Sequence, residues 1–563
     1  MKPKKLVSLL AAVAMSATVF SQNPPDTICG HKVNRDKEGK ILGWYKPEIP
    51  GMTYDKVVRL ASEYIKSGCP VDPSTGKKVF YTHCSIIKNK SNQKEYSAGL
   101  TGSKWPNNPA GLYAGMVKSL AVDFYMYSGD PAYVSEVKSM LDFQLANGTT
   151  PANYAWPNCP YSSADPGETK YEGSIILEQR FAKENIANYR LAGDGKYGLE
   201  PDKVAELGYG YLQFYEITKE DKYLKAALNC ADALAWHVRD VPTRWYQRVS
   251  EPLKSPWPFR VNARTGDCLE EYCANVVEPV KLFTELVRIK SKISLSTQRE
   301  QSYIRAKGIA WKWLLSVKGP MKTYIWKGYF EDVFFDGENI TRVNNLPLEA
   351  ARYFIKHPEE NANYKNDVPA LIWFVKSVFG VDNLPAICEQ SGTFYPLGSH
   401  TARFASVCAL WYEQTGDEWF KDQAYRYFNL AAYCTEEDGI VRTGPFWGGE
   451  CWFTDGYSDY IKHFMEGLAA IPEWVPAENH LLKSTSTVQT IEYASTQVSF
   501  TTFDDVSNVT LRMASKPKTI SMNGKQIESS DEIKENSWTW KSLDKGGVAK
   551  ICYSGGNEIL IVQ

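Results

Sequence analysis

Three stretches of this 563-residue chain repeat one pattern: an aromatic-rich segment, a tight turn, then an amphipathic segment opening on an acidic residue soon followed by Tyr or Trp. They read YMYSGDPAYVSEVKSMLDFQL from Tyr125, FYEITKEDKYLKAALNCADAL around Asp221 and LWYEQTGDEWFKDQAYRYFNLA around Asp417. A hairpin of two such helices cannot bury its own apolar stripe, so the pairs have to pack side by side. The apolar spacing predicts pairs over 111–127 with 133–145, 202–215 with 222–238, 276–290 with 301–317, 348–354 with 368–379 and 402–412 with 419–433. Helices over 53–66 and 457–471 bracket them, and another is expected near 175–184. The resulting fold class is an all-α major domain, an (α/α)6 toroid of helical hairpins. An open superhelix of repeats is the alternative, but open solenoids keep short, regular periods. Here several connections are long, unequal and rich in aromatics, Gly and Pro, which favours a ring with a concave centre.

Past Pro476 the period changes from that of helices to two. A polar, linker-like stretch over 481–486 precedes alternating segments at 487–493, 498–503, 509–513, 519–522, 548–553 and 558–562. Asn523-Gly524 and Gly555-Gly556 are hairpin turn signals. Residues 487–563 are therefore expected to form a small antiparallel β-sandwich-like domain, and residues 22–480 the toroid.

Lys2, Lys4 and Lys5 precede an apolar run from Leu6 to Phe20, and Val19, Phe20 and Ser21 have the small-x-small pattern of secretory cleavage. Residues 1–21 read as a signal peptide, so a periplasmic or secreted location is expected. Its removal takes the formal charge from −1 to about −4, which offers no bulk attraction to nucleic acid. After the leader no apolar run reaches the length of a membrane span. The 12 cysteines lack paired zinc-ligand spacing. Cys29, Cys69, Cys84 and Cys159 sit where disulfides can form in an oxidising compartment, whereas Cys230, Cys408 and Cys434 fall on apolar helix faces and read as free core thiols. His83 and His400 are isolated and read as surface or loop histidines. No cofactor or resident metal is expected.

Aromatic residues make up 13% of the chain, and many fall in the joins between helices, among them Trp105, Trp156, Trp257, Trp326, Trp447 and Trp452. Loops lie at surfaces, and flat rings beside carboxylates and amides suit the apolar faces and hydroxyls of a saccharide, so a carbohydrate substrate is expected. Three joins carry the chemistry. The first, SPWPFRVNARTGDCLEEYCANVVEP, holds Trp257, Arg260, Arg264 and Asp267. Its arginines either clamp a substrate carboxylate or satisfy Asp267 and Glu270. The second, TYIWKGYFEDVFFDGENITRVNN, holds Tyr324, Trp326 and Asp332. Asp332 stands among Phe330, Val333, Phe334 and Phe335, surroundings that raise a carboxyl's pKa as a general acid requires. An Asp-Asn-Glu group of this kind also suits calcium, though without the spacing of the helix-loop-helix calcium motif. The third, TGPFWGGECWFTDGYSDYIKHF, holds Trp447, Trp452, Asp455, Tyr457, Asp459 and His463. Asp455 precedes a helix start, where the positive helix end keeps it ionised as base or nucleophile. Asp459 and His463 share a helix face and either serve the site or bond to each other.

The hairpin toroid, aromatic joins, leader and C-terminal β module together resemble the six-hairpin glycosidase superfamily, including members exported by Bacteroidetes. The resemblance spans residues 52–474 as architecture and carries over no family residue. It implies acid/base hydrolysis of a glycosidic bond by paired carboxylates, with Asp332 as acid, Asp455 as base or nucleophile and Asp267 in reserve. Carboxyls about 6.5–9.5 Å apart would imply inversion and about 5–5.5 Å retention. Two rival readings remain: a lyase acting on a uronate-containing glycan, drawing on Tyr324, Arg260 and Asn262, and a non-catalytic glycan-binding protein.

Overall fold

The structure, a computed structural model, describes residues 26–88, 100–175, 195–241, 254–270, 275–316, 343–389, 395–446 and 449–563. The signal-peptide segment and the helix expected near 175–184 fall largely outside these residues. Among them the helices are α1 (Met52–Glu63), α2 (Pro109–Met116, continuing through the π-helical Val117–Phe124 to Tyr125–Ser128), α3 (Ala132–Asn147) and α4 (Pro201–Thr218). Then come α5 (Asp221–His237), α6 (Val277–Arg288), α7 (Thr297–Leu314), α8 (Asn345–Lys356) and α9 (Tyr364–Phe379). The last are α10 (Gly398–Thr415), α11 (Glu418–Ala432) and α12 (Asp459–Ala470).

The even-numbered helices pack in order around a ring, α2 on α4, then α6, α8, α10 and α12, and α12 closes back on α2. The odd-numbered helices lie outside, and α1 closes the outer layer against α11 and α12. The chain is an (α/α)6 toroid. Burial explains the sorting. Outer α3 buries Tyr133, Val137, Met140, Leu141 and Gln144, a single stripe at helical spacing. Inner α10 is buried at every position from Gly398 to Trp411, because neighbours cover it on all sides. Glycine permits the tightest inner approach: a Cβ on Gly115 of α2 would meet the Ser458 Cβ at 2.4 Å.

The repeated signature has a local cause. Gly129, Lys219 and Gly416 end α2, α4 and α10 with φ of 74°, 60° and 71°, the left-handed cap that lets the chain reverse at once. In two of the three repeats the acidic residue after the turn also accepts from the start of the next helix: the Ala132 and Trp419 N–H groups donate to Asp130 and Asp417 at 2.9 and 3.0 Å, whereas no side chain caps α5. Lys219 bears the left-handed strain without being glycine, and its ammonium lies 3.5 Å from the centroid of the Phe503 ring.

Residues 480–563 form two five-stranded sheets face to face. With β1 (His480–Ser484), β2 (Val488–Tyr493), β3 (Gln497–Thr502), β4 (Val506–Met513) and β5 (Thr519–Met522) followed by β6 (Lys525–Gln526), β7 (Glu528–Ser529), β8 (Ser537–Ser542), β9 (Gly547–Ser554) and β10 (Glu558–Val562), the strand orders are 1-4-9-8-7 and 2-3-10-5-6. All pairs are antiparallel except β7 with β8. The stretch read as a linker supplies β1, because His480, Leu481 and Leu482 are buried and so join the domain. The sandwich packs on the C-terminal ends of α2, α4 and α6: Tyr125 and Met126 enter its core, and Gln489 donates to the Glu216 carbonyl at 2.7 Å. No helix of the described residues is long and apolar enough to cross a membrane.

At that seam Arg288 of α6 pairs with Asp504 of the sandwich at 3.0 Å and with Glu285, and lies 3.6 Å from Glu216, which Thr487 also bonds. Burial pushes the Glu216 carboxyl well above the usual range, and neighbouring Glu285 adds to this. A carboxyl raised on folding stabilises the fold fully below its unfolded pKa, and that contribution is lost as pH rises through the folded value. Glu216→Gln is therefore expected to flatten the fall in melting temperature between acidic and mildly alkaline pH. Parallel melting curves for the two proteins over that range would refute it.

Candidate functional site at the mouth of the toroid

The two ends of the ring differ. At the C-terminal ends of the inner helices the chain reverses quickly, as at Lys219–Glu220. At their N-terminal ends the connections are long: 148–200 into α4, 238–276 into α6, 315–344 into α8, 380–397 into α10 and 433–458 into α12. All six inner helices follow the alternation of the pairs and therefore start at this end. The described parts of the first and third joins singled out from the sequence lie at this end, and the mouth is where the candidate site is sought.

Small sheets tie the joins together. Strand Glu450–Trp452 pairs with Ser85–Lys88, which pairs with Leu100–Gly102; Arg260–Asn262 pairs with Cys268–Glu270 and Gly198–Leu199. Within the first sheet the Ser85 hydroxyl donates to Glu450 at 2.9 Å. Trp452 of this sheet is half-buried, as are Trp105 and, beside the second sheet, Tyr154 and Tyr197, and Tyr395 is exposed. These rings leave surface at the mouth for a ligand.

The second sheet holds a buried triad. Arg260 has no exposed side-chain surface and donates to Glu200 at 2.9 Å and Glu270 at 2.8 Å. Of the two sequence readings for Arg260, the carboxylate-satisfying one describes its place, with Glu200 in the position expected for Asp267. Asp267 is instead exposed on the hairpin tip, where it accepts from the Thr265 hydroxyl at 2.7 Å. Trp257 is also fully buried, its indole N–H donating to the Leu234 carbonyl at 2.9 Å. Tyr457 is buried and stacked on Tyr64, with its hydroxyl bonded to Gly439 and Val441. Packing needs, invisible to local composition, took both rings into the core. Tyr324, Trp326, Asp332 and Trp447 lie outside the described residues.

Glu200 leads into Pro201 and Asp202, the first two residues of α4. Proline at the first helical position gives up an N–H that has no partner there in any case. Asp202 is buried, and burial pushes its carboxyl up to about 7; Lys203 works against this, while Glu200 and Glu206 reinforce it. The sequence signal was Glu-Pro-Asp at a helix start, which reads as routine capping. Asp455 is half-buried in the turn entering α12 and accepts from the Ser399 hydroxyl of α10 at 3.3 Å. Asp202 and Asp455 begin, or lead into, the two inner helices that flank α2.

Below the mouth the bore is lined by ion pairs between inner helices. Arg403 joins Asp459 at 2.6 Å and Glu349 at 3.4 Å; Arg352 joins Glu466 at 2.8 Å. Burial works to raise Glu349, but Arg352 and Arg403 hold it down at about 2, and Lys462 with Arg403 holds Asp459 lower still. Asp459 is thus spent on Arg403 and Lys462, while His463 lies 3.1 Å from Arg352 and 3.3 Å from Arg403 and is kept neutral by burial and these cations. His400 and His83, expected at the surface, are buried; His400 donates from Nδ1 to Asn344, whose amide N–H groups are taken by two carbonyls, and burial pushes it down to about 3. At the opposite end, His357, Glu359 and Glu360 bring ligand atoms within 4.8 Å of one another, but Glu360 is held by Lys307.

No family model and no curated protein matches the sequence. Solved structures similar to the chain include a sugar epimerase from a ruminal bacterium, at 12% identity and TM-score 0.46 over 74% of this chain and 99% of that one. The cellobiose 2-epimerase of Spirochaeta thermophila is similar at 9% identity and TM-score 0.45 over 75% and 95% of the two chains. A GH76 alpha-mannanase of Bacteroides thetaiotaomicron is similar at 10% and 0.43 over 74% and 95%. Likeness at this level leaves the fold resting on the contacts between its own helices.

Proposed function

We propose that this protein is an exported glycoside hydrolase that cleaves a poly- or oligosaccharide at the mouth of the toroid, with Asp202 as general acid and Asp455 as the carboxylate that activates water or attacks the anomeric carbon. The observation that supports this most is the contrast between two carboxyls at the starts of the inner helices on either side of α2. Asp202 is buried, and burial pushes its carboxyl up to about 7, whereas Asp455 is half-exposed at the entry to α12. A carboxyl raised in this way suits a general acid, and a half-exposed one suits a base or nucleophile. The half-buried rings of Trp105, Tyr154, Tyr197 and Trp452 offer stacking faces for sugar rings.

A lyase that uses Arg260 to neutralise a uronate is disfavoured, since that guanidinium is already committed to Glu200 and Glu270. Incubation of the purified chain with a panel of polysaccharides is expected to release reducing ends without an ultraviolet-absorbing unsaturated product. An unsaturated product would establish the lyase, and binding without any turnover would leave a glycan-binding protein.

A further inference from the structure

The toroid has one junction that the chain does not cross covalently, where α1, near the start of the described chain, closes the outer layer against α11 and α12 from its far end. The segment before α1 reinforces that junction. His31 bonds the Thr435 carbonyl at 2.8 Å, the Trp44 indole donates to the Ala432 carbonyl at 2.9 Å, and the Tyr433 hydroxyl donates to Leu42 at 2.8 Å. All three contacts meet the C-terminal end of α11, at the foot of the connection that carries Trp452 and Asp455.

A thiol pair lies at the same place. Cys29 forms the tip of a two-residue turn with Gly30, at φ of 46° and 85°, between strands Thr27–Ile28 and His31–Lys32. Left-handed backbone is uncommon for a residue with a Cβ, and a site that holds one invites a functional explanation. This conformation brings the half-buried Cys29 thiol against the Gly444 and Pro445 carbonyls, at 3.8 Å each, and beside the buried Cys434 thiol. Cys434 in turn packs on α10, where a Cβ on Gly398 would lie 2.9 Å from its sulfur. Both cysteines carry free thiols in this structure.

We propose that Cys29 and Cys434 are a disulfide-forming pair, an oxidisable clasp that fastens the closing junction of the toroid beneath one wall of its mouth. In thiol–disulfide exchange with a small disulfide such as oxidised glutathione, the Cys29 thiolate attacks one sulfur, the donor S–S bond breaks and one glutathione thiolate leaves. Cys434 then attacks the Cys29 sulfur of the mixed disulfide and expels the second. The two thiols lose two electrons and two protons, and the donor disulfide is reduced to two thiols. Exchange begins at Cys29 because it is the accessible partner, while contact with Cys29 and burial push the Cys434 thiol well up. A cross-link between positions so far apart in sequence restricts the unfolded chain strongly.

The test oxidises the full chain with oxidised glutathione, alkylates remaining thiols and maps peptides without reduction. A Cys29–Cys434 linked peptide is expected, together with a higher melting temperature than that of the reduced protein. Cys29→Ser, at a half-exposed position, should abolish the rise, and Cys451→Ser, which removes the neighbouring third thiol, should retain it. Full alkylation of both Cys29 and Cys434 after oxidation would overturn the proposal. So would a Cys29–Cys451 link, or a rise that persists in Cys29→Ser.

Discussion

Asp202→Asn is expected to lower kcat by about 10²–10⁴-fold with little change in KM, the range typical for loss of a general acid. The wild-type rate should fall as pH rises through about 7, where Asp202 gives up its proton, and the variant should lack that limb. A substrate with a good leaving group needs little protonation, so the loss should shrink on an aryl glycoside and remain large on a natural glycan. Asp455→Asn should be poor on both. Stability moves the other way. The Asp202 pKa is raised on folding, so its contribution is complete below the ordinary value of about 3.9 and is lost as pH climbs through about 7. Asn at this position should therefore melt higher than wild type in alkaline buffer. Full turnover by Asp202→Asn on a natural glycan would remove Asp202 from the mechanism, whatever the melting curves show.

Arg260→Ala is expected to destabilise the fold by about 3–5 kcal/mol, because it leaves the Glu200 and Glu270 carboxylates buried without their shared cation. The same change frees the segment that presents Asp202, so activity should fall faster than the folded fraction. Adding Glu200→Gln and Glu270→Gln removes the stranded charges and should recover much of the stability, but not the activity that depends on a fixed α4 entry. Denaturant unfolding of the single and triple variants distinguishes the cases. A cost below about 1 kcal/mol for Arg260→Ala would mean that water reaches the triad, as at a surface pair.

The helical scaffold was largely legible because its cause is local. The stripe Tyr133, Val137, Met140, Leu141 of α3 is written at helical spacing, and the reversals at Gly129 and Gly416 are marked by the glycine and acid that make them. The β domain was legible from its alternation, except that β1 at His480–Ser484 resembled a linker until its partner β4 gave Leu481 and Leu482 something to cover. The candidate site was legible only as a region. The described parts of the first and third joins lie at one end of the ring, yet composition alone does not distinguish Trp257, lost to the core, from Trp452, half-buried beside Glu450.

The sequence by itself determined that helices would pair, that the pairs would need one another, and that a sandwich would follow them, since periodicity and turn chemistry act between near neighbours. Only the tertiary structure decided which charges are buried and with whom. Arg260 is committed to Glu200, 60 residues away, and burial gives Asp202 a carboxyl raised to about 7. Desolvation and Coulomb interactions depend on every group within a few ångströms, and those groups come together only when the last helix of the ring meets the first.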